Sequence, residues 1–374
     1  MRRTIPLAAL VTAVGLAACE QAPTLAPESA APVAARSENA PIYLVTFKEG
    51  VDVESTASEM ARGRGFAVRF LRKHAAPGFS AVIPASQIDA VRNDPRVAIV
   101  EQDKVLSLPP VEINARPGGG GGSATQTVPW GITRVGGAGD GTGKTAWVID
   151  SGIDLTHADL NTSRNCHTYF AGSSPSDGNG HGTHVAGTIA AKNNGQDVVG
   201  VAANAYVCSV RVLGNSGSGS LEGVTNGVNY VAANGANGDV ANMSVGASGS
   251  NATLEAAVKN AAAKGIKFVI AAGNAGIDAN LETPARVNAP NVFTISAIAT
   301  NNCLTSWSNY GLGVDWAAPG NSILSTRKGG GTTTMSGTSM AAPHAAGVLL
   351  LGTARADGLA CSDRDAVPDP IIHR

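Results

Sequence analysis

From Val128 onward, short β-rich apolar runs alternate with stretches that read as helix, and this alternation limits the fold more than any other feature of the chain. The strand candidates are Thr145–Ile149, Val207–Leu213, Val240–Ser244, Lys267–Ala271 and Val292–Ala297. Between them lie helix candidates at His181–Ala191, Ser220–Ala233 and Asn251–Lys264. The pattern predicts an α/β domain, residues 128–374, with a mostly parallel sheet covered by helices on both faces. In such sheets, sites gather at the carboxyl ends of strands, and Asp150 and Asn274 each fall just after a predicted strand.

The upstream part reads differently. Ile42–Phe47 is a strand candidate, Val53–Arg62 a helix, Ala67–Leu71 and Gly78–Ile83 strands, Ser86–Asn93 a helix and Val97–Val100 a last strand. That βαββαβ order predicts a small α+β ferredoxin-like domain over residues 40–108. Pro109-Pro110 and the Gly118–Gly122 run follow, in a segment (109–127) that cannot pack and is exposed to cleavage. Residues 20–39, rich in Ala, Pro, Ser and Glu, read as a flexible tether. Residues 1–19 read as a targeting segment. Arg2-Arg3 precedes the apolar stretch Ile5 to Ala18, which is too short for a membrane span. It ends Leu16-Ala17-Ala18-Cys19, which resembles a bacterial lipobox and makes Cys19 a lipidation candidate. Ordinary signal cleavage is the alternative. Either way export is expected, to the medium or the cell envelope.

A net charge of −1 gives no reason to expect a polyanionic partner such as nucleic acid. With Cys19 set aside, Cys166, Cys208, Cys303 and Cys361 allow three disulfide pairings in an exported protein. Cys166–Cys208 with Cys303–Cys361 is preferred, because the first two lie in strand-like runs that would be neighbours.

Three glycine-rich settings carry the chemistry. They are Val148-Ile149-Asp150-Ser151-Gly152, then His181-Gly182-Thr183-His184-Val185-Ala186-Gly187-Thr188, then Gly337-Thr338-Ser339-Met340-Ala341-Ala342-Pro343-His344. A Ser hydroxyl is nearly inert at neutral pH until a base takes its proton, and the base works only when held in one tautomer. Each residue has a plainer reading alone: Ser339 as an N-cap, Asp150 as a strand-end turn residue. His184, one helical turn after His181, would suggest a metal pair, but no Glu and no third ligand accompany it, so it reads as a buried structural histidine. Gly139-Asp-Gly-Thr-Gly143-Lys144-Thr145 fails as a phosphate loop, since Ala138 stands where Gly is needed and a strand follows. An α/β-hydrolase esterase would want G-x-S-x-G with the Ser first in chain order; here Ala341 takes the last place and the Ser comes last.

Taken together, the three segments resemble the motifs of the subtilisin-like serine peptidases, in the order Asp, His, Ser. The resemblance covers about two-thirds of the chain and is strongest to the proteinase K branch. Pro129-Trp130-Gly131-Ile132, Val210-Arg-Val-Leu213 and Phe268-Val-Ile-Ala-Ala-Gly-Asn274 support it. It implies catalytic roles for Asp150, His181 and Ser339, with the Asn274 side chain donating to the oxyanion. Ser244-Val245-Gly246 and Ala271-Ala272-Gly273 resemble the two walls of the S1 cleft, and Gly217-Ser218-Gly219 the edge that pairs with substrate. Small wall residues imply an open S1 cleft that accepts apolar or aromatic side chains; no acidic residue obviously floors it, so strict basic specificity is not expected. The resemblance further implies a structural Ca²⁺ at the Pro290 and Val292 carbonyls with Asp315, and no cofactor for catalysis. It implies a monomer acting on protein or peptide substrates, with the upstream domain as its inhibitory propeptide. The alternatives carried are a catalytically silent binding protein of the same fold and an esterase. Pro368-Asp-Pro370 predicts an irregular tail after Ser339, with the family's last helix shortened or absent.

Overall fold

The computed structural model describes residues 41–108, 112–113, 125–352 and 354–374, with backbone alone at 112–113. The targeting segment with Cys19, the tether and most of the Pro/Gly-rich linker lie outside the described residues.

Strands β1 (Ile42–Phe47), β2 (Val68–Arg72), β3 (Gly78–Val82) and β4 (Val97–Gln102) form an antiparallel sheet in the order β2-β3-β1-β4. Helices α1 (Val53–Arg64) and α2 (Ala85–Arg92) complete the βαββαβ chain order. Local chemistry sets the limits of α1. The Asp52 side chain accepts from Ser55 N–H at its start, and Gly65 ends it in the left-handed region at φ 72°. Phe47, Met60, Phe79 and Val91 fill a core of their own.

The larger sheet has nine strands. In spatial order they are Arg355–Leu359, Pro370–His373, Trp316–Pro319, Val292–Ile298, Lys267–Ala271, Val240–Met243, Thr145–Asp150, Tyr206–Arg211 and Thr168–Tyr169. All pairs are parallel except the first. Side chains alternate across the sheet: Ala146 and Val148 pack on one face, Trp147 and Ile149 on the other. Helices His181–Ala190 and Thr338–Leu351 cover the first face, and Leu221–Asn234 and Ala252–Ala262 the second. Burial on both faces is why the strands read as unbroken apolar runs. The Asp150 strand lies between two strands that both follow it in sequence, Tyr206–Arg211 and Val240–Met243, so the strand order reverses there. A crevice opens outside the carboxyl end of such a strand.

The tail departs from expectation. Instead of an irregular segment it forms a hairpin that extends the sheet, with Ile371 paired to Ala317 and Arg355 paired to His373. Pro370 is tolerated because it starts its strand, and Ile371 and Ile372 bury on opposite faces. Both preferred disulfides are present, Cys166–Cys208 and Cys303–Cys361. The second ties this tail to the loop after Val292–Ile298.

Candidate active site

Asp150 ends its strand fully buried, with both carboxylate oxygens 2.9 Å from Nδ1 of His181. That contact fixes the ring and favours the tautomer that leaves Nε2 as the acceptor. His181 opens its helix at the end of a turn held by a residue the sequence reading passed over. Asp177 Oδ1 accepts from Asn179 N–H, Gly180 N–H and Ser151 Oγ; Oδ2 accepts from Thr183 N–H and Oγ1. The sequence signal was there, as Asp-Gly-Asn-Gly before the helix, but which donors would converge on the carboxylate was not. Gly182 is required by close approach: a Cβ there would stand 2.1 Å from the Gly152 carbonyl oxygen.

Ser339 is the second residue of a helix buried from Thr338 to Leu350. Its Oγ and His181 Nε2 are both buried, and neither has a hydrogen-bond partner. The Ser–His hydrogen bond is therefore not made in this structure, which is common before substrate tightens such a site. Asn274 follows the strand Lys267–Ala271, and its Oδ1 accepts from Thr338 N–H at 2.9 Å and Thr338 Oγ1 at 2.7 Å. These bonds orient the amide beside the start of the Ser339 helix, whose N-terminal N–H groups favour a developing negative charge. His184 Nε2 donates to the Ile323 carbonyl at 3.0 Å, and burial lowers its pKa to about 3. It stays neutral, as a structural histidine would.

Of the residues expected to line the cleft, Ser244 reaches this cluster directly. Ser244 Oγ donates to the Ser339 carbonyl, and the Ala272 carbonyl accepts from Asn309 Nδ2. Several residues expected to line the cleft are paired with the chain's own upstream segment. Strand β5 (Val105–Ser107) pairs antiparallel with Ser218–Ser220, Ser107 exchanges two hydrogen bonds with Gly246, and Leu108 N–H donates to the Gly217 carbonyl. Beyond it, Glu112–Ile113 pairs with Met335 and Ser336, just before Ser339. The upstream sheet docks on the same face. Glu101 accepts from Ala252 and Thr253 N–H, and Asp103 from Glu222 N–H, so β4 and the residue after it cap two helices of the larger domain. Arg69 grips Glu222 through two hydrogen bonds, at 3.0 and 3.1 Å.

Two findings add to the sequence reading. Glu282, eight residues beyond Asn274, brings a carboxylate against Gly273, although no acidic residue stands in the wall segments themselves. Its pairing with Ser248 places it there, and sequence distance hid it. Separately, the Lys192, Gln196 and Val198 carbonyls converge on the Gln126 side-chain amide, next to buried Asp159. Burial pushes the Asp159 carboxyl up to about 7. Such a set of hard oxygen ligands suits a cation of the Ca²⁺ type. At the place expected for calcium, Asp315 is on the surface and its Oδ2 accepts from Thr294 N–H. Pro290 and Val292 lie just before Thr294 in the chain.

Residues 141–365 match the profile of the Subtilase family, and residues 72–109 that of Peptidase inhibitor I9. Alkaline serine exoprotease A of Vibrio alginolyticus is 42% identical over 74% of this chain and 52% of its own length. Alkaline elastase YaB of a Bacillus species is 41% identical over 74% of this chain and 68% of its own. The chain thus spans about half of the first relative and about two-thirds of the second. Among solved structures, a cold adapted subtilisin-like serine proteinase matches with a TM-score of 0.51 at 43% identity, covering 57% of this chain and 76% of that one.

Proposed function

The chain belongs to the subtilase family, and from that premise we propose that it is a serine endopeptidase made as a self-processing zymogen. The observation that supports this most is the Asp150 carboxylate 2.9 Å from His181 Nδ1, with His181 Nε2 and Ser339 Oγ held by no other partner.

In this reading Ser339 Oγ attacks the scissile carbonyl carbon while His181 Nε2 takes its proton. Asp150 holds the imidazole and stabilises the imidazolium that forms. The carbonyl oxygen becomes an oxyanion between the Asn274 amide and the Ser339 N–H. His181 then protonates the departing amine, and water, activated by the same imidazole, releases the acyl group and restores Ser339. Substrate binds as an added strand against Gly217-Ser218-Gly219 and Ser244-Val245-Gly246, so main-chain hydrogen bonds supply affinity whatever the sequence. The walls Ser244–Gly246 and Ala271–Gly273 leave room for apolar or aromatic side chains in S1.

The residue 40–108 domain acts as the intramolecular inhibitor, because β5 takes the strand position that substrate needs. Maturation cuts the chain between about Leu106 and Val128. We propose export, with Cys19 as a lipid anchor on the precursor that the same cut would remove. A Ser339→Ala precursor would then stay with membranes, and a fully soluble one would contradict the anchor. The mechanism is tested by labelling the mature enzyme with a fluorophosphonate and mapping the adduct. A modified Ser339 is expected; modification elsewhere, with Ser339 untouched, would contradict the assignment.

A further inference from the structure

The reading above leaves a carboxylate unexplained at the base of the S1 cleft. A Cβ built on Gly273 would meet Glu282 Oε2 at 2.2 Å and Asn309 Nδ2 at 2.3 Å, so the carboxyl group lies against the residue just before Asn274. The other wall leads to the same place. Ser244–Gly246 runs on into Ala247–Ser248, which pairs antiparallel with Glu282–Thr283, and a Cβ on Gly246 would be 3.3 Å from the Thr283 carbonyl oxygen. Glu282 therefore stands where the two walls converge.

Its surroundings are those of an anion lacking a cation. Asn309 is its hydrogen-bond partner, and burial raises its pKa with no positive side chain acting on it. The nearest basic residue in sequence, Arg286, pairs instead with Glu255 at 3.7 Å. A purely structural role is a poor account of the charge. Asn309 already braces the wall through the Ala272 carbonyl and the Ala275 and Ile277 N–H groups. A neutral glutamine at 282 would serve that bracing as well.

We infer that Glu282 sets specificity in S1, giving the peptidase a preference for Lys or Arg on the acyl side of the scissile bond. The inference rests on the peptidase reading above. A long basic side chain lays its alkyl stem between the small wall residues and presents its charge to the carboxylate at the end. An aromatic side chain still fits between the walls but gains nothing from Glu282.

The test uses enzyme matured from the full chain, normalised by fluorophosphonate titration so that only competent molecules count. Two peptide p-nitroanilides are compared, sharing Ala-Ala-Pro and differing only in a terminal Lys or the neutral, similarly long Met. Wild type is expected to favour Lys in kcat/KM. In Glu282→Gln the Lys-to-Met ratio should fall about tenfold, with the Met value within about twofold of wild type. Glu282→Lys should turn the preference towards a Glu substrate, which keeps the test decisive if the first variant matures poorly. Hydrolysis of both peptides with a ratio unmoved by either substitution would overturn the inference and leave the peptidase reading standing. Hydrolysis of neither by wild type would overturn that reading, and this inference with it.

Discussion

At the scale of single residues, the site depends on groups held by partners more than on unusual side chains. Asn274 is aimed by two donors from Thr338, and its removal should affect the transition state rather than substrate binding. Asn274→Ala is expected to lower kcat by about 10²–10³ with KM little changed, the loss typical of one oxyanion donor in related enzymes. A variant losing only KM would contradict the role. Asp369 allows a test on stability. Burial pushes its carboxyl from 3.8 to about 7, while Ser296 Oγ donates to it at 2.6 Å. Between those values the unfolded chain releases a proton that the folded chain keeps. The stabilising contribution is therefore full below the lower value and is lost as pH rises through the upper one. Asp369→Asn should gain in Tm on wild type as pH is raised from about 5 to about 8, and a pH-independent difference would contradict this. The candidates Asp150, His181, Ser339 and Asn274 could each be named from a local glycine-rich pattern, and the structure sets Asp150 against His181 and Asn274 against Thr338 beside Ser339. Asp177 and Glu282 were not singled out, since their roles depend on donors and walls that only folding brings near.

At the scale of elements, the alternation of strands and helices located the parallel sheet, and its errors have physical causes. The Trp316–Pro319 strand is short and ends in proline, and the tail hairpin is interrupted by prolines, so neither carries a clear period. Strand β5 was hidden for another reason: its hydrogen-bond partners lie more than a hundred residues away, on the cleft edge. The caps that β4 and Asp103 offer to two helices of the larger domain were equally non-local. Each cap satisfies helix N–H groups and sets a negative charge at a helix start, about 0.5–2 kcal/mol in ordinary cases. Propeptide carrying Glu101→Ala with Asp103→Ala, added to mature enzyme, is expected to inhibit with a Ki at least about tenfold higher. An unchanged Ki would mean that docking rests on the other contacts, among them β5, the Arg69 and Ser80 bonds to Glu222, and the His74 and Ala75 N–H groups on Asn229.

At the scale of the whole molecule, the proposed inhibition is a contact within one chain, β5 lying along Ser218–Ser220. Parallel sheets assembled from distant segments fold slowly, so in the proposed reading a docked domain that caps helices and lines up an edge strand would also favour the fold it blocks. Among the described residues no helix is long and apolar enough to cross a membrane. The calcium that the resemblance implies is tested at this scale, because an ion bound only by the folded chain raises its stability. Chelation should lower the Tm of the mature enzyme. Asp159→Asn should remove most of that shift, and Asp315→Asn should remove less; the reverse order would return the main ion to Asp315. The central claim is that Ser339 cuts peptide bonds. It is tested most directly by casein hydrolysis with purified wild type and Ser339→Ala prepared alike. The account predicts rapid hydrolysis by the first and loss of activity by several orders of magnitude in the second, which should remain an uncut precursor. Equal hydrolysis by both would contradict it.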